Sequence, residues 1–201
     1  LASSLEVYGT ITNDSKPLTE DAQGFLNPMD VRSSYPMAKR AAETLCHNYA
    51  KEYGTHTKVA RLAQTFGAGV TKNDNRVFAQ FARSIINGED IIMHTKGELC
   101  RCYCYTTDAI AAVLYILLRG KDGEAYNVAN ETTYISIKDM ATFLAETFNP
   151  KVKVVVELKE NMGYSPTTKL RLSTNKIQQL GWTPHYNLQE MFHRLIESLK
   201  Q

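Results

Sequence analysis

The apolar positions of this chain fall into two periods, and the switches between them mark its elements. Ala41, Ala42, Leu45 and Tyr49 recur at helical spacing. Ser33-Ser34, with Pro36 in the first turn, open that helix, and Gly54 closes it. A second amphipathic helix carries Phe78, Phe81, Ala82 and Ile85 and ends at Asn87-Gly88. A third is expected over Ala109 to Leu118, capped by Thr107 or Asp108 and stopped by Gly120. Capping patterns at Ser136 to Asp139 and Asn187 to Glu190 open two more, and a short helix ends at Gly181. Short runs at Val59 to Leu62, Ala125 to Val128 and Val152 to Val156 read as strands. Two others, Ile91 to Met93 and Arg101 to Tyr105, flank a Lys96-Gly97 turn. Strands alternating with helices predict an α/β architecture with parallel strands. Thr10 to Arg32 shows no period and is rich in turn residues, a loop of the length that often carries function.

With 201 residues, 43% of them hydrophobic, the chain is long enough to bury a core. A formal charge of +2 argues against a nucleic-acid binder with a broad phosphate-neutralising face, while leaving room for a small anionic ligand. The longest apolar run, Ala109 to Leu118, is well short of the roughly 20 residues of a membrane span. Four cysteines do not make a disulfide scaffold, so a reducing, cytoplasmic location is expected. Cys100, Cys102 and Cys104 alternate along a strand without turn-like Cys-x-x-Cys spacing, and no His-x-x-x-His occurs; no metal site is expected. The opening Leu1 to Gly9 reads as the end of a buried strand running into a turn. A strand there needs neighbours, so the chain is expected to be a fragment of a longer protein.

Chemistry enters at Tyr35-Pro36-Met37-Ala38-Lys39. One helical turn puts the phenol and the ammonium on one face, where the charge stabilises a phenolate. Tyr134 and Lys138 repeat the spacing, but Tyr134 falls in a strand-to-helix turn, so its lysine need not share its face. Three further segments surround the first pair in order. Ser3-Ser4-Leu5-Glu6-Val7-Tyr8-Gly9 precedes it, Arg101-Cys102-Tyr103-Cys104-Tyr105-Thr106-Thr107-Asp108 follows it, and Leu180-Gly181-Trp182-Thr183-Pro184 lies in the tail. Together these resemble the second half of the extended short-chain dehydrogenase/reductase family, among its nucleotide-sugar epimerases and dehydratases. The Ser/Thr-x-Glu-Val-Tyr-Gly turn resembles the nucleotide-sugar decarboxylases most closely.

The resemblance implies roles. Ser4 would hydrogen-bond the sugar hydroxyl being oxidised at C4, and Tyr35 would remove its proton. Lys39 would bind the nicotinamide ribose of NAD, with Tyr35 and Leu62 also on the cofactor side. Glu6 would handle a proton on the 4-keto intermediate, whereas Leu5, in place of an acid, weakens a dehydratase reading. Arg101 corresponds to a pyrophosphate-contacting arginine, Arg76 is a candidate for the nucleotide or phosphates, and Gln64 replaces an asparagine that contacts the sugar nucleotide. The implied fold is the C-terminal half of a doubly wound Rossmann-like parallel sheet over 1–67. A smaller substrate-binding lobe covers 68–201, with segments returning to the sheet. The implied partner is a nucleoside-diphosphate sugar and the full-length form a homodimer. A Gly-rich pyrophosphate turn is absent from the chain, since its close glycine pair, Gly67 and Gly69, follows the wrong strand. The alternative is a truncated, non-catalytic nucleotide-sugar-binding or dimerisation remnant.

Overall fold

A computed structural model of the chain describes residues 1–159 and 167–201. In chain order its first elements are β1 (Ala2–Ser4), α1 (Ser34–Tyr53), β2 (Val59–Leu62), β3 (Gln64–Phe66), α2 (Val77–Asn87), β4 (Ile91–Met93) and β5 (Cys100–Tyr105). There follow α3 (Thr106–Arg119), β6 (Ala125–Val128), β7 (Asn130–Ser136), α4 (Ile137–Phe148), β8 (Val154–Val156), β9 (Lys169–Leu170), α5 (Asn175–Gln178) and α6 (Leu188–Lys200). Two 3₁₀ turns, Leu5–Tyr8 and Val31–Ser33, bracket the long loop.

The first sheet is parallel, in the order β1-β2-β6. The second holds β3-β5-β7, with β9 also paired to β5, and β4 pairs with β8 separately. The chain passes between the first two sheets at two small buried residues. Ala63 separates β2 from β3 and Ala129 separates β6 from β7; they are 5% and 0% exposed. The Ala63 amide donates to Val128 O at 2.9 Å, so the two crossings are bonded together. Larger side chains would not fit where two backbones cross this closely.

Three sequence expectations change. The β5–β7 pair is antiparallel, because β7 enters the second sheet straight from β6 with no crossover helix. Nor do β4 and β5 form a hairpin about Lys96-Gly97. Gly97 O and Leu99 O instead accept from Lys138 and Ile137 amides at 3.0 Å each, which ties the turn to the start of α4. Neither Thr107 nor Asp108 caps α3, whose N-cap is Tyr105 with no side-chain bond. The buried Asp108 carboxylate accepts the amides of His185 (2.9 Å) and Tyr186 (3.1 Å), while its carbonyl accepts from Trp182 Nε1 (3.1 Å). That residue anchors the Leu-Gly-Trp-x-Pro tail. The capping box at Asn187 and Glu190 is complete.

The largest core cluster lies among α2, α4 and α6, with Phe66 stacked on Phe78 (centroids 4.5 Å apart) and tilted against Phe192 (4.8 Å). A second packs α3 and Trp182 on β2 and β6. The third, around Leu5, Tyr8, Cys102 and Leu172, underlies the long loop. All four cysteines are free thiols, and burial pushes Cys102 up to about 11 and Cys104 up to about 12.

Candidate active site

The site begins where β1 ends. Ser4 closes that strand and its Oγ accepts the Glu6 amide at 3.2 Å, capping the 3₁₀ turn Leu5–Tyr8. This turn brings the Glu6 carboxylate round to Arg101 of β5, with Oε1 3.7 Å from Nη1. Gly9 then turns the chain at φ 69°, and a Cβ there would stand 2.6 Å from Phe25 O. Only glycine lets the return of the loop lie this close. Arg40 pins the same loop to α1, with Nε donating to Val7 O (2.7 Å) and Nη2 to Gly24 O (2.8 Å).

Tyr35 is the second residue of α1 and stands 49% exposed. One turn on, Lys39 Nζ lies 5.7 Å from the Tyr35 ring centroid and donates to Ala2 O at 2.8 Å. The helix thus places phenol and ammonium on one face, as the spacing required. Leu62 is the register partner of Ser4 across β1 and β2.

A cavity of about 590 Å³ unites Glu6, Tyr35 and Arg101, with Thr10, Asp30 and Thr168 among its other walls. Ser4, Lys39, Leu62, Gln64 and Arg76 are not among its lining residues. Gln64 sits half-buried in β3, in register with Tyr103. Arg76 is held by Asp74, with Nη2–Oδ2 at 2.5 Å, and lies over the Phe78 ring at 4.7 Å. A larger hollow of about 860 Å³ runs along α6 by His193 and Arg194 and contains none of these residues. Tyr35, Glu6 and Arg101 belong to the smaller cavity.

Behind the cavity lies a polar network that the sequence did not disclose. Arg61 Nη2 meets Glu43 Oε2 at 2.7 Å, and Nη1 donates to Tyr8 OH (3.0 Å) and Glu20 O (2.6 Å). Ser3 Oγ donates to Glu43 Oε1 at 2.5 Å, and Tyr8 OH to Asn127 Oδ1 at 2.6 Å. Burial pushes the Tyr8 phenol up to about 12, so it remains a neutral donor near neutrality. Thr168 and Leu170 also escaped sequence reading, because a two-residue strand carries no periodic signal.

The family model for the "NAD dependent epimerase/dehydratase family" matches residues 1–129. The chain belongs to this family. It is 30% identical over 190 residues to UDP-glucuronic acid decarboxylase 5 of Arabidopsis thaliana, covering 94% of this chain and 54% of that protein. It is 29% identical over 203 residues to UDP-glucuronic acid decarboxylase 1 of Danio rerio, covering 98% and 46%. The chain therefore spans about half the length of these curated relatives. Among solved structures, a Thermus thermophilus UDP-glucose 4-epimerase complex with NAD superposes with a TM-score of 0.82 at 18% identity, covering 100% of this chain and 63% of that one. A Bacillus cereus UDP-glucuronic acid 4-epimerase in complex with UDP-glucuronic acid and NAD gives 0.80 at 20%, covering 100% and 60%. These likenesses establish the fold, a mixed α/β arrangement of the Rossmann type.

The residues present fit one end of the family's dinucleotide. Tyr35, Lys39 and Leu62 offer a phenol, an ammonium and an apolar strand end at the edge where doubly wound sheets take ligands. Gly67 follows β3 in the second sheet, and a Cβ there would meet the Tyr105 ring at 2.6 Å. That glycine makes room for an aromatic ring. Among the described residues no group of three or more His, Cys, Asp or Glu is placed to hold a metal ion, and no helix is long and apolar enough to cross a membrane.

Proposed function

We propose that this chain forms the sugar-nucleotide side of an enzyme that oxidises a UDP-linked uronic acid at C4 and then decarboxylates it. The observation that carries the reading is the single cavity shared by Tyr35, Glu6 and Arg101, with Lys39 one helical turn behind Tyr35. Tyr35 Oη takes the proton of the C4 hydroxyl, and Ser4 Oγ orients that hydroxyl. Lys39 holds the ribose and favours the phenolate. NAD, when bound, supplies the hydride acceptor, held at its nicotinamide end by Tyr35, Lys39 and Leu62. A ketone at C4 makes the sugar a β-keto acid, in which the bond to the carboxylate breaks with its electron pair drawn toward the ketone oxygen. Glu6 returns a proton to the ring carbon so exposed. Arg101 supplies a guanidinium fork for an anionic group of the substrate, and Arg76 and Gln64 remain candidates for contacts to the nucleotide or its phosphates. The names of the curated relatives favour decarboxylation over epimerisation or elimination.

The division of labour follows the chain, with 1–67 on the cofactor side and 68–201 mainly on the sugar-nucleotide side. A reducing, cytoplasmic setting rests on the chain's four cysteines being too few for a disulfide scaffold. The exposed Leu45, Tyr49 and Tyr53 on α1 support a homodimer of the full-length form, checked by light scattering.

Tyr35→Phe, assayed on UDP-glucuronate with NAD in a form spanning the full length of the relatives, is expected to lose turnover by about 10²–10⁴-fold while still binding the nucleotide sugar. Retained turnover overturns the proposal.

A further inference from the structure

Two residues that line the cavity each carry a buried polar atom with no hydrogen-bond partner. Arg101 Nε and Thr168 Oγ1 are shut off from solvent and lack a hydrogen-bond partner among the described residues. Thr168 as a whole is 7% exposed. The two are neighbours by strand register, since Arg101 pairs with Leu170 and the Cys100 amide donates to Thr168 O at 2.9 Å. Thr168 thus lies just before β9, on the segment bonded to β5 next to Arg101. Arg101, Thr168 and Leu170 all line the cavity. Glu6 stands on the Nη1 side of Arg101.

A buried hydroxyl and a buried guanidinium N–H left unpaired both oppose folding, and such groups in a native protein call for an explanation. A guanidinium nitrogen only donates and a threonine hydroxyl also donates, so two unpaired donors on residues lining one cavity fit an acceptor that carries charge. We propose that Thr168 is a substrate-recognition residue, its hydroxyl and Arg101 Nε–H together taking one oxyanion of the nucleotide sugar, a carboxylate or a phosphate oxygen. The proposal rests on the sugar-nucleotide reading above and adds to it a residue on β9's approach that neither motif nor family match marks.

The test titrates wild type, Thr168→Val and Thr168→Ser with UDP, UDP-glucose and UDP-glucuronate by calorimetry, and melts each protein without ligand. Valine keeps the shape and removes the unpaired hydroxyl. Thr168→Val should therefore melt higher than wild type when unliganded, yet bind about tenfold or more weaker, the worth of a hydrogen bond to a charged group. Thr168→Ser should bind within about threefold of wild type. A loss already present with UDP assigns the oxyanion to phosphate, and a loss confined to UDP-glucuronate assigns it to the carboxylate. A loss with UDP-glucose but not with UDP points to a sugar hydroxyl and overturns the oxyanion assignment. A Thr168→Val protein that melts lower, or that binds all three ligands as wild type does, overturns this inference alone. Failure of wild type to bind any of them overturns the sugar-nucleotide reading as well.

Discussion

Helices α1 and α6 are held to the protein by different forces. Over its twenty residues α1 buries one, Pro36, and leaves Met37, Leu45, Tyr49 and Tyr53 exposed. In thirteen residues α6 buries Met191, Phe192, Leu195, Ile196 and Leu199. The deficit on α1 is met by polar contacts: Glu43 to Arg61 and Ser3, Arg40 to the loop, and Lys39 to β1. α6 is thus packed by apolar surface, whereas α1 is fastened by directed bonds on the side that carries Tyr35 and Lys39. Directed bonds fix the angles of side chains that apolar packing alone leaves freer, which suits the end of the molecule that carries Tyr35 and Glu6.

The comparison is broken most severely from the packed side. Phe192→Ala removes the ring that meets Phe66 at the centre of the largest cluster, and is expected to cost about 3–5 kcal/mol in urea denaturation. On the fastened side, Arg61→Met strands the half-buried Glu43 carboxylate and two other acceptors, Tyr8 OH and Glu20 O. It should cost about 3 kcal/mol, with the double variant Arg61→Met, Glu43→Gln recovering part of the loss. If the double variant recovers nothing, the network is not an ion pair at heart and the contrast weakens.

A smaller effect depends on pH. Lys176 and then Lys121 hold the Glu124 carboxyl down at about 2, against an ordinary value of 4.5. The folded form binds its proton less readily than the unfolded one, so the pair stabilises above pH 4.5. That contribution fades as pH falls through the window down to about 2. Glu124→Gln should flatten the melting temperature's dependence on pH in that window and leave its slope near neutrality unchanged. The pair lies partly in solvent, so added salt should shrink the difference.

Much of this was legible beforehand. Capping patterns and glycine stops located α2, α4 and α6, and the Tyr35 to Lys39 spacing placed phenol and ammonium on one face of α1. Local rules of this kind act over one helical turn, and one turn is what the sequence spells out. Asp108 shows the limit. Its residue type and position matched a helix cap, yet buried donors from the 182–186 segment, nearly eighty residues away, claimed its carboxylate. The same holds for the neighbourhood of Glu6, Arg101 and Thr168, which come from a 3₁₀ turn, a central strand and the approach to a two-residue strand.

The sequence by itself determined the α/β class, the helices, and the order of motifs that marked the family. Only the tertiary structure decided that one strand-like run from Val59 to Phe66 serves two sheets. It also decided that the ion pair of Arg61 fastens α1, and that Arg101 lines the cavity with an unpaired nitrogen. The reason is range. Periodicity and capping are set by neighbours within a few residues, whereas the partner of a buried charge is whichever group packing brings beside it, from any distance along the chain.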